Sequence, residues 1–269
     1  MVKFSVVMSV YYKDSASAFT EAVNSLLNQS LLPDEIIIVM DGPVPRNLDK
    51  LIEKLSKNKI IRIIKLKLNC GAGKSKDEGI KKAKYPLIAI MDSDDISIAE
   101  RFRLQIERFG NDKVDVVGGW IEEFDRNIGD LQLVRKVPLD PKDIIPYSKW
   151  RNPTNHVSLM FKKEAYNKAG GYSSMRTCED WDLVIRMISN GIIIANIPKI
   201  LVRVRAGNAM LKRRGSLSHF KDEIALFYNM YLVKHINLFQ FFANILLRTG
   251  AHCIPSRLTY LYYKLFLRN

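Results

Sequence analysis

Apolar positions along the first half of the chain alternate between two rhythms. Phe4–Val10 is a short strand-like run. Phe19, Ala22, Val23, Leu26 and Leu27 then recur at the three- and four-residue spacing of one helix face. Glu35–Met40 (EIIIVM) is a continuous β-branched run of the kind a strand buried on both faces requires. Leu48, Leu51, Ile52 and Leu55 mark a second helix, Ile60–Leu66 a third strand, Gly73–Lys84 a third helix and Pro86–Met91 a fourth strand. Phe102, Ile106 and Phe109 give a fourth helix, followed by a strand at Val114–Gly118. Strand and helix in alternation predict right-handed crossovers and a parallel sheet, hence an α/β fold.

The second half is less regular. Trp120–Ile145 reads as hairpin and loop, punctuated by Gly129, Pro138 and Pro141. HVSLMF (156–161) reads as a strand, Trp181, Val184, Ile185 and Ile188 as a helix face, and Ile192–Ile197 as a further strand. Two amphipathic patterns close the chain. Leu238, Phe241, Phe242, Ile245 and Leu246 share a face opposite Gln240, Asn244 and Arg248; past Pro255, Leu258, Leu261, Tyr262, Leu265 and Phe266 share another.

Parallel sheets place ligands beyond the carboxyl ends of their strands. The residues that follow each strand here form a chemically coherent set. Ser9, Tyr11 and Tyr12 end the first, Asp41-Gly42 the second, Asn69-Cys70-Gly71-Ala72-Gly73-Lys74 the third, and Asp92-Ser93-Asp94-Asp95 the fourth. An aromatic, a lone acid, a glycine-rich turn with a lysine and an acidic cluster suit a base, a ribose, a diphosphate and a cation. Three carboxylates among residues 92–95 resist full ionisation unless a cation sits between them, and oxygen ligands suit Mg²⁺ or Mn²⁺. A competing reading has Asp95 or Ser97 capping the next helix.

Composition narrows the partners. Three scattered cysteines, Cys70, Cys178 and Cys253, form no metal-binding or disulfide ladder. They fit a reducing, cytoplasmic setting, and no apolar stretch reaches the ~20 residues of a membrane span. The net charge is +14, and residues 199–269 hold twelve Lys/Arg against two Asp/Glu. A basic region bordered by aromatics suits an anionic membrane surface, here the inner face of the plasma membrane. Nucleic acid would account for the charge but not for an acidic cluster at a strand end, and is not expected as a partner.

The motifs resemble those of the family 2 glycosyltransferases, which have the GT-A fold. MDSDDISIAERFRLQ resembles the DxD element, SVVMSVYYKD and VMDG the nucleotide-holding segments, NCGAGKSKDEG the glycine-rich segment, CEDWDL the ED element and KRRG the basic lid. The match runs from about residue 4 to 215, with these motifs in the family's order.

The resemblance implies a GT-A domain over 1–215, comprising a nucleotide-binding half (1–118) and an acceptor half with lid (119–215). A basic helical tail (216–269) follows. It implies Tyr11 lining the base pocket, Asp41 on the uracil edge, Asp92 and Asp94 on ribose and metal, and Arg213 and Arg214 clamping the diphosphate. Ser9, Gly71, Lys74 and Ser93 are further candidates toward a UDP-sugar.

Asp180, paired with Glu179, takes the place of the catalytic base. An acid pair at a helix start also has a bland reading as a dipole-favoured terminus. Asn155, His156 and Trp181 are candidates toward the acceptor, and His156 reads equally as a buried, hydrogen-bonded structural residue. Lys76 and Asp77 depart from the pattern common in the glycine-rich segment. The expected reaction is inverting transfer onto a lipid diphosphate-linked saccharide of capsule, exopolysaccharide or O-antigen synthesis. The stretch from Asp92 through Arg101 and Gln105 resembles β-1,3-galactosyltransferases.

Overall fold

In β2 (Glu35–Met40) every side chain is buried, because helices cover both faces of the sheet. Ile36, Ile38 and Met40 join Phe4, Val6 and Met8 of β1 (Phe4–Val10) on one face, against Phe19 and Leu26 of α1 (Ala16–Leu27). Ile37 and Val39 join Val7 on the other, against Ile80 of α3 (Ala72–Lys82). The structure, a computed structural model, describes residues 2–111, 113–206 and 217–253.

The strand order is β3 (Ile61–Lys65), β2, β1, β4 (Leu87–Met91), β8 (Met160–Lys162), β6 (Val116–Phe124), β9 (Ile194–Arg205) and β5 (Ile96–Ser97), with β7 (Leu133–Arg135) paired to β6. The first four strands are parallel, as the alternation predicts, with α2 (Arg46–Leu55) in the β2–β3 crossover. β8 then runs antiparallel between β4 and β6, while β6 and β9 are parallel. The crossover through α4 (Arg101–Asn111) therefore skips one position in the sheet, which later chain fills.

Several local expectations change. The expected strand ending at Gly118 continues to Phe124, because β9 pairs along it through register shifts at Gly119–Ile121. Only the end of HVSLMF is strand; His156–Ser158 is a 3-10 turn. Asp95 and Ser97 cap no helix. Ile96–Ser97 pairs with β9, and α4 starts only at Arg101. α5 (Pro141–Ser148) lies inside and beyond the stretch read as loop, with proline at its first helical position, where no donor is lost. α6 (Lys163–Lys168) and α7 (Glu179–Ser189) complete this half.

The C-terminal helices α8 (Leu217–Leu232) and α9 (Leu238–Cys253) dock on α7 through a third apolar cluster. Trp181 and Ile185 there meet Leu226, Phe227 and Met230, with Phe241 and Ile245 packed alongside. α9 meets the body through a mixed face of Phe241, Asn244, Ile245 and Arg248, so only part of the expected apolar face turns inward. Asn244 is 1% exposed, and Arg248 reaches back to the body, whereas Phe239, Phe242 and Leu246 are 77%, 61% and 74% exposed. The second amphipathic pattern, 258–266, lies outside the described residues.

Candidate active site

The strand-end residues gather on one rim. Asp41, 3% exposed, is held at the end of β2 and saturated by the glycine-rich turn. Its carboxylate accepts from Cys70 N (2.7 Å), Cys70 Sγ (3.2 Å), Asn69 Nδ2 (3.0 Å) and Gly71 N (3.0 Å). Gly42 permits the close approach. Its φ is +82°, and a Cβ there would lie 2.7 Å from Asn69 N. Asp41 thus shapes the entrance to α3. The Cys70 thiol, the weakest of these donors, is the one an incoming hydrogen-bond donor would displace most easily. Lys74 stands exposed on the first turn of α3, and Tyr11, 37% exposed, meets Tyr12 edge-to-face at 5.5 Å. Ser9 lies in register with Val39 near the end of β1.

The acidic loop after β4 is braced from three directions. Lys76, buried on α3, forms a close ion pair with Asp92. Ser93 Oγ donates to Asp14 Oδ2 (2.8 Å), which also accepts from Tyr11 N (2.9 Å). Asp95 accepts from the backbone of Arg205 (2.9 Å), whose guanidinium donates to Asp94 O (3.3 Å) and pairs with Glu21 (2.9 Å).

Burial, then the neighbouring charges of Asp92 and Asp14, pushes Asp94 up to about 6. Burial and the same crowding raise Asp95 well above the usual carboxylate range. Burial disfavours the Lys76 ammonium, but Asp92 outweighs it and its pKa rises. Under this loop lies Arg101, fully buried. It donates to Ile90 O (2.8 Å) and Gln105 Oε1 (3.1 Å), while Gln105 Nε2 bridges Val117 O and Ser158 O (2.8 Å each). That pair ties β4 to β6 and to the turn carrying His156.

Glu179 and Asp180 open α7 on the facing side. Gly73 of α3 brings the two sides together, since a Cβ there would fall 3.0 Å from Glu179 Cγ. Asp180 accepts from Asn152 Nδ2 (2.9 Å) and Trp181 N (2.8 Å). Burial, then the charge of Asp180, pushes Glu179 up to about 7, with Lys76 opposing. His156 Nε2 contacts Tyr172 Oη at 2.5 Å. Burial, then Lys76, depresses His156 to about 4, so it is neutral at ordinary pH, facing Asp180 and Asp92.

The structure therefore joins Asp92, Glu179 and His156 around Lys76, with Asp94 beside Asp92, Asp180 beside Glu179, and Asp41 and Gly71 further along the strand ends. Two expected acceptor contacts are elsewhere. Trp181, 6% exposed, donates Nε1 to Ser148 O (3.2 Å) and packs edge-to-face on Phe227, so it belongs to the core under α8. Asn155, 1% exposed, braces Gly119 O and Arg135 O. Arg213 and Arg214 lie outside the described residues.

Sequence reasoning missed Asp14, Asn152, Tyr172 and Arg205, whose roles arise only from contacts between distant segments. Lys76 did carry a signal, as a lysine at an atypical position. Among the described residues, no cluster of three His, Cys, Asp or Glu side chains forms a preassembled metal site.

Strand-end acids lie at the carboxyl edge of a mixed sheet, with a second acid pair at the start of α7 and Lys76 between them. The glycosyl transferase family 2 model matches residues 5–177, and the chain belongs to that family. It is 34% identical, over the full length of both chains, to an uncharacterised glycosyltransferase of Haemophilus influenzae. It is 33% identical to the Escherichia coli UDP-Gal:alpha-D-GlcNAc-diphosphoundecaprenol beta-1,3-galactosyltransferase, covering 99% of this chain and 97% of that one. The amylovoran biosynthesis glycosyltransferase AmsE of Erwinia amylovora is 30% identical, covering 97% and 98%. The same fold occurs in S. aureus TarS 1–349 in complex with UDP-GlcNAc, with a TM-score of 0.70 at 17% identity, over 99% of this chain and 77% of that one.

Proposed function

We propose that this glycosyltransferase moves a sugar from a UDP-sugar to a saccharide carried on a lipid diphosphate, with inversion, in bacterial cell-surface polysaccharide synthesis. The observation that carries the reading is the pair of acidic centres on one rim, Asp92/Asp94 and Glu179/Asp180, separated by Lys76. Full-length similarity to the E. coli galactosyltransferase supports galactose as the first donor and a β-1,3 linkage as the first product to test.

Asp41 and the 69–71 turn form the end of the pocket suited to the base, with Tyr11 beside it. Asp92, Ser93 and Asp94 face the ribose and diphosphate. Asp180 takes the proton from the acceptor hydroxyl, and two hydrogen bonds aim its carboxylate. Glu179, its own carboxyl raised by burial and by Asp180, stands beside it, and neutral His156 with Tyr172 lines the acceptor side without adding charge.

Asp94 fits a Mg²⁺ or Mn²⁺ ion. Its crowded carboxylate is relieved by a cation, and such ions need only one or two protein carboxylates when substrate phosphates complete the sphere. When bound, the ion stabilises charge on the leaving diphosphate. Arg213 and Arg214 are proposed to assist from the lid. The outward Phe239, Phe242 and Leu246 of α9 are proposed to rest on the inner face of the membrane, where a lipid-linked acceptor resides.

The test is a donor screen by mass spectrometry with GlcNAc-diphosphate-lipid acceptors and Mg²⁺ or Mn²⁺. Transfer from UDP-galactose giving a β-1,3 disaccharide by NMR is expected. Failure of every UDP-sugar, or an α-linked product, refutes the reading.

A further inference from the structure

The C-terminal hairpin grips the strap that aims Asp180. Three successive carbonyls of residues 148–150 are each held from outside the strap. Ser148 O accepts from Trp181 Nε1 (3.2 Å), Lys149 O from Asn244 Nδ2 (3.0 Å) and Trp150 O from Arg248 Nη2 (3.1 Å). Ser148 Oγ also meets His235 Nε2, beyond α8, at 2.8 Å. Two residues on, Asn152 Oδ1 accepts from Thr154 N (3.1 Å) and Thr154 Oγ1 (3.0 Å). Those donors fix the amide, so that Nδ2 points to Asp180 Oδ2 at 2.9 Å. Arg135 Nη2 on Asn152 O (3.2 Å) closes the strap from the β7 side.

We infer that Asn152 is a positioning residue for Asp180, and that Asn244 and Arg248 of α9 act on the same carboxylate through the 148–152 strap. The hairpin is then part of the working enzyme and not only an attachment. The inference rests on the reading of Asp180 as base. Losing the Asn152 N–H removes one of the two bonds that set the carboxylate's rotation, misaiming the proton acceptor.

The experiment compares Asn152→Ala, Asn152→Ser and the double variant Asn244→Ala/Arg248→Ala in the full chain. UDP-galactose and GlcNAc-diphosphate-lipid serve as substrates. Asn152→Ala should lower kcat about tenfold with donor KM unchanged, as outer-shell partners of a reactive group typically do. Asn152→Ser, which keeps a donor, should recover part of the loss in kcat. The α9 double variant should show the same signature at smaller size, with UDP affinity by calorimetry unchanged.

The nitrogen-15 NMR signal of the Asn152 side-chain amide gives a readout independent of turnover, and it should shift in the α9 double variant. Unchanged kcat in Asn152→Ala overturns the inference, as do α9 variants that lower only the melting temperature and leave that signal in place. If Asp180→Asn keeps full turnover, the base reading fails, while the Asn152 amide signal still decides whether the hairpin sets the strap.

Discussion

The two sides of the rim hold their carboxylates by different means. On the side built by β1, β2 and β4, backbone atoms do much of the work. Asp41 is met by the amides of Cys70 and Gly71, Asp95 by that of Arg205, and Asp14 by that of Tyr11. On the side built by α7, side chains from distant segments dominate, with Asn152 on Asp180 and Tyr172 on His156. Backbone donors are fixed once the strands pair, so the first side is set by the sheet itself. The second depends on packing between pieces far apart in sequence. A substitution should therefore act locally on the first side and be felt at longer range on the second.

The largest expected effect is at Asp180. Asp180→Asn keeps shape and can still hydrogen-bond, but no longer takes a proton. A general base contributes about 10²–10⁴-fold, so kcat should fall by about 10³-fold while UDP affinity by calorimetry stays within twofold. Retained turnover would erase the functional distinction between the two sides. Next is Asp94→Ala, expected to lower kcat/KM about a hundredfold and to abolish the dependence of UDP binding on Mg²⁺ or Mn²⁺. Metal-dependent UDP affinity equal to wild type would move the cation away from this loop.

Lys76→Met tests the bridge between the sides. The ammonium is buried while Asp92 keeps a side-chain exposure of 39%, so water partly compensates the carboxylate left behind. The loss of stability should be about 2 kcal/mol, below that for a fully buried broken pair. This corresponds to a melting temperature about 4–8 °C lower. Lys76→Arg should recover part of it. An unchanged melting temperature would show that Asp92 does not need the pair.

The paired sides differ equally in how far they can be read from the chain alone. The apolar runs of β1, β2 and β4 leave no choice of period, and the polar residues after them must fall at one sheet edge. Asp41, Asp92 and Asp94 are legible for that reason. Lys76 sits among α3 residues whose spacing says only that it faces inward; its partner is sixteen positions away, and only the α3–β4 packing reveals it. Trp181 reads both as part of an apolar helix face and as an acceptor contact beside an acid pair, and only its packing on Phe227 of α8 decides between them. On α9 the alternation identifies two faces, but the side that meets the protein draws on both, because Asn244 and Arg248 find carbonyl partners on a strap nearly a hundred residues earlier while Phe241 and Ile245 join the cluster on α7. The antiparallel insertion of β8 is hidden too, since a three-residue strand carries almost no periodicity.

A smaller effect distinguishes the sides by pH. Glu179 is raised from its ordinary value of 4.5 to about 7 by burial and by Asp180. Between those pH values the folded chain binds more protons than the unfolded one, so stability falls as pH rises through the window. The unfavourable contribution is complete above about pH 7 and vanishes below about 4.5. Glu179→Gln should therefore melt about 2–4 °C higher than wild type at pH 8, with the gap closing near pH 5. A constant gap across that range would mean that the α7 carboxylates are not strained by proximity.

The smallest effect on the chemistry should come from the outer face of α9. Phe239, Phe242 and Leu246 are largely exposed, so Phe239→Ser, Phe242→Ser and Leu246→Ser remove little packing and should change stability by no more than about 0.5 kcal/mol each. The inward bonds of Asn244 and Arg248 to the strap remain, so turnover on a short-chain, water-soluble acceptor should match wild type. Co-sedimentation with vesicles containing phosphatidylglycerol should nevertheless drop, because each outward aromatic contributes apolar area that only a nonpolar environment rewards. Selectivity for a long-chain acceptor presented in those vesicles should fall in step. If the triple variant still sediments fully, the outward face is not the membrane contact. If it loses turnover on the soluble acceptor as well, the inner and outer faces of α9 are not separable, and the long-range sensitivity of the α7 side extends to the surface of the helix that supports it.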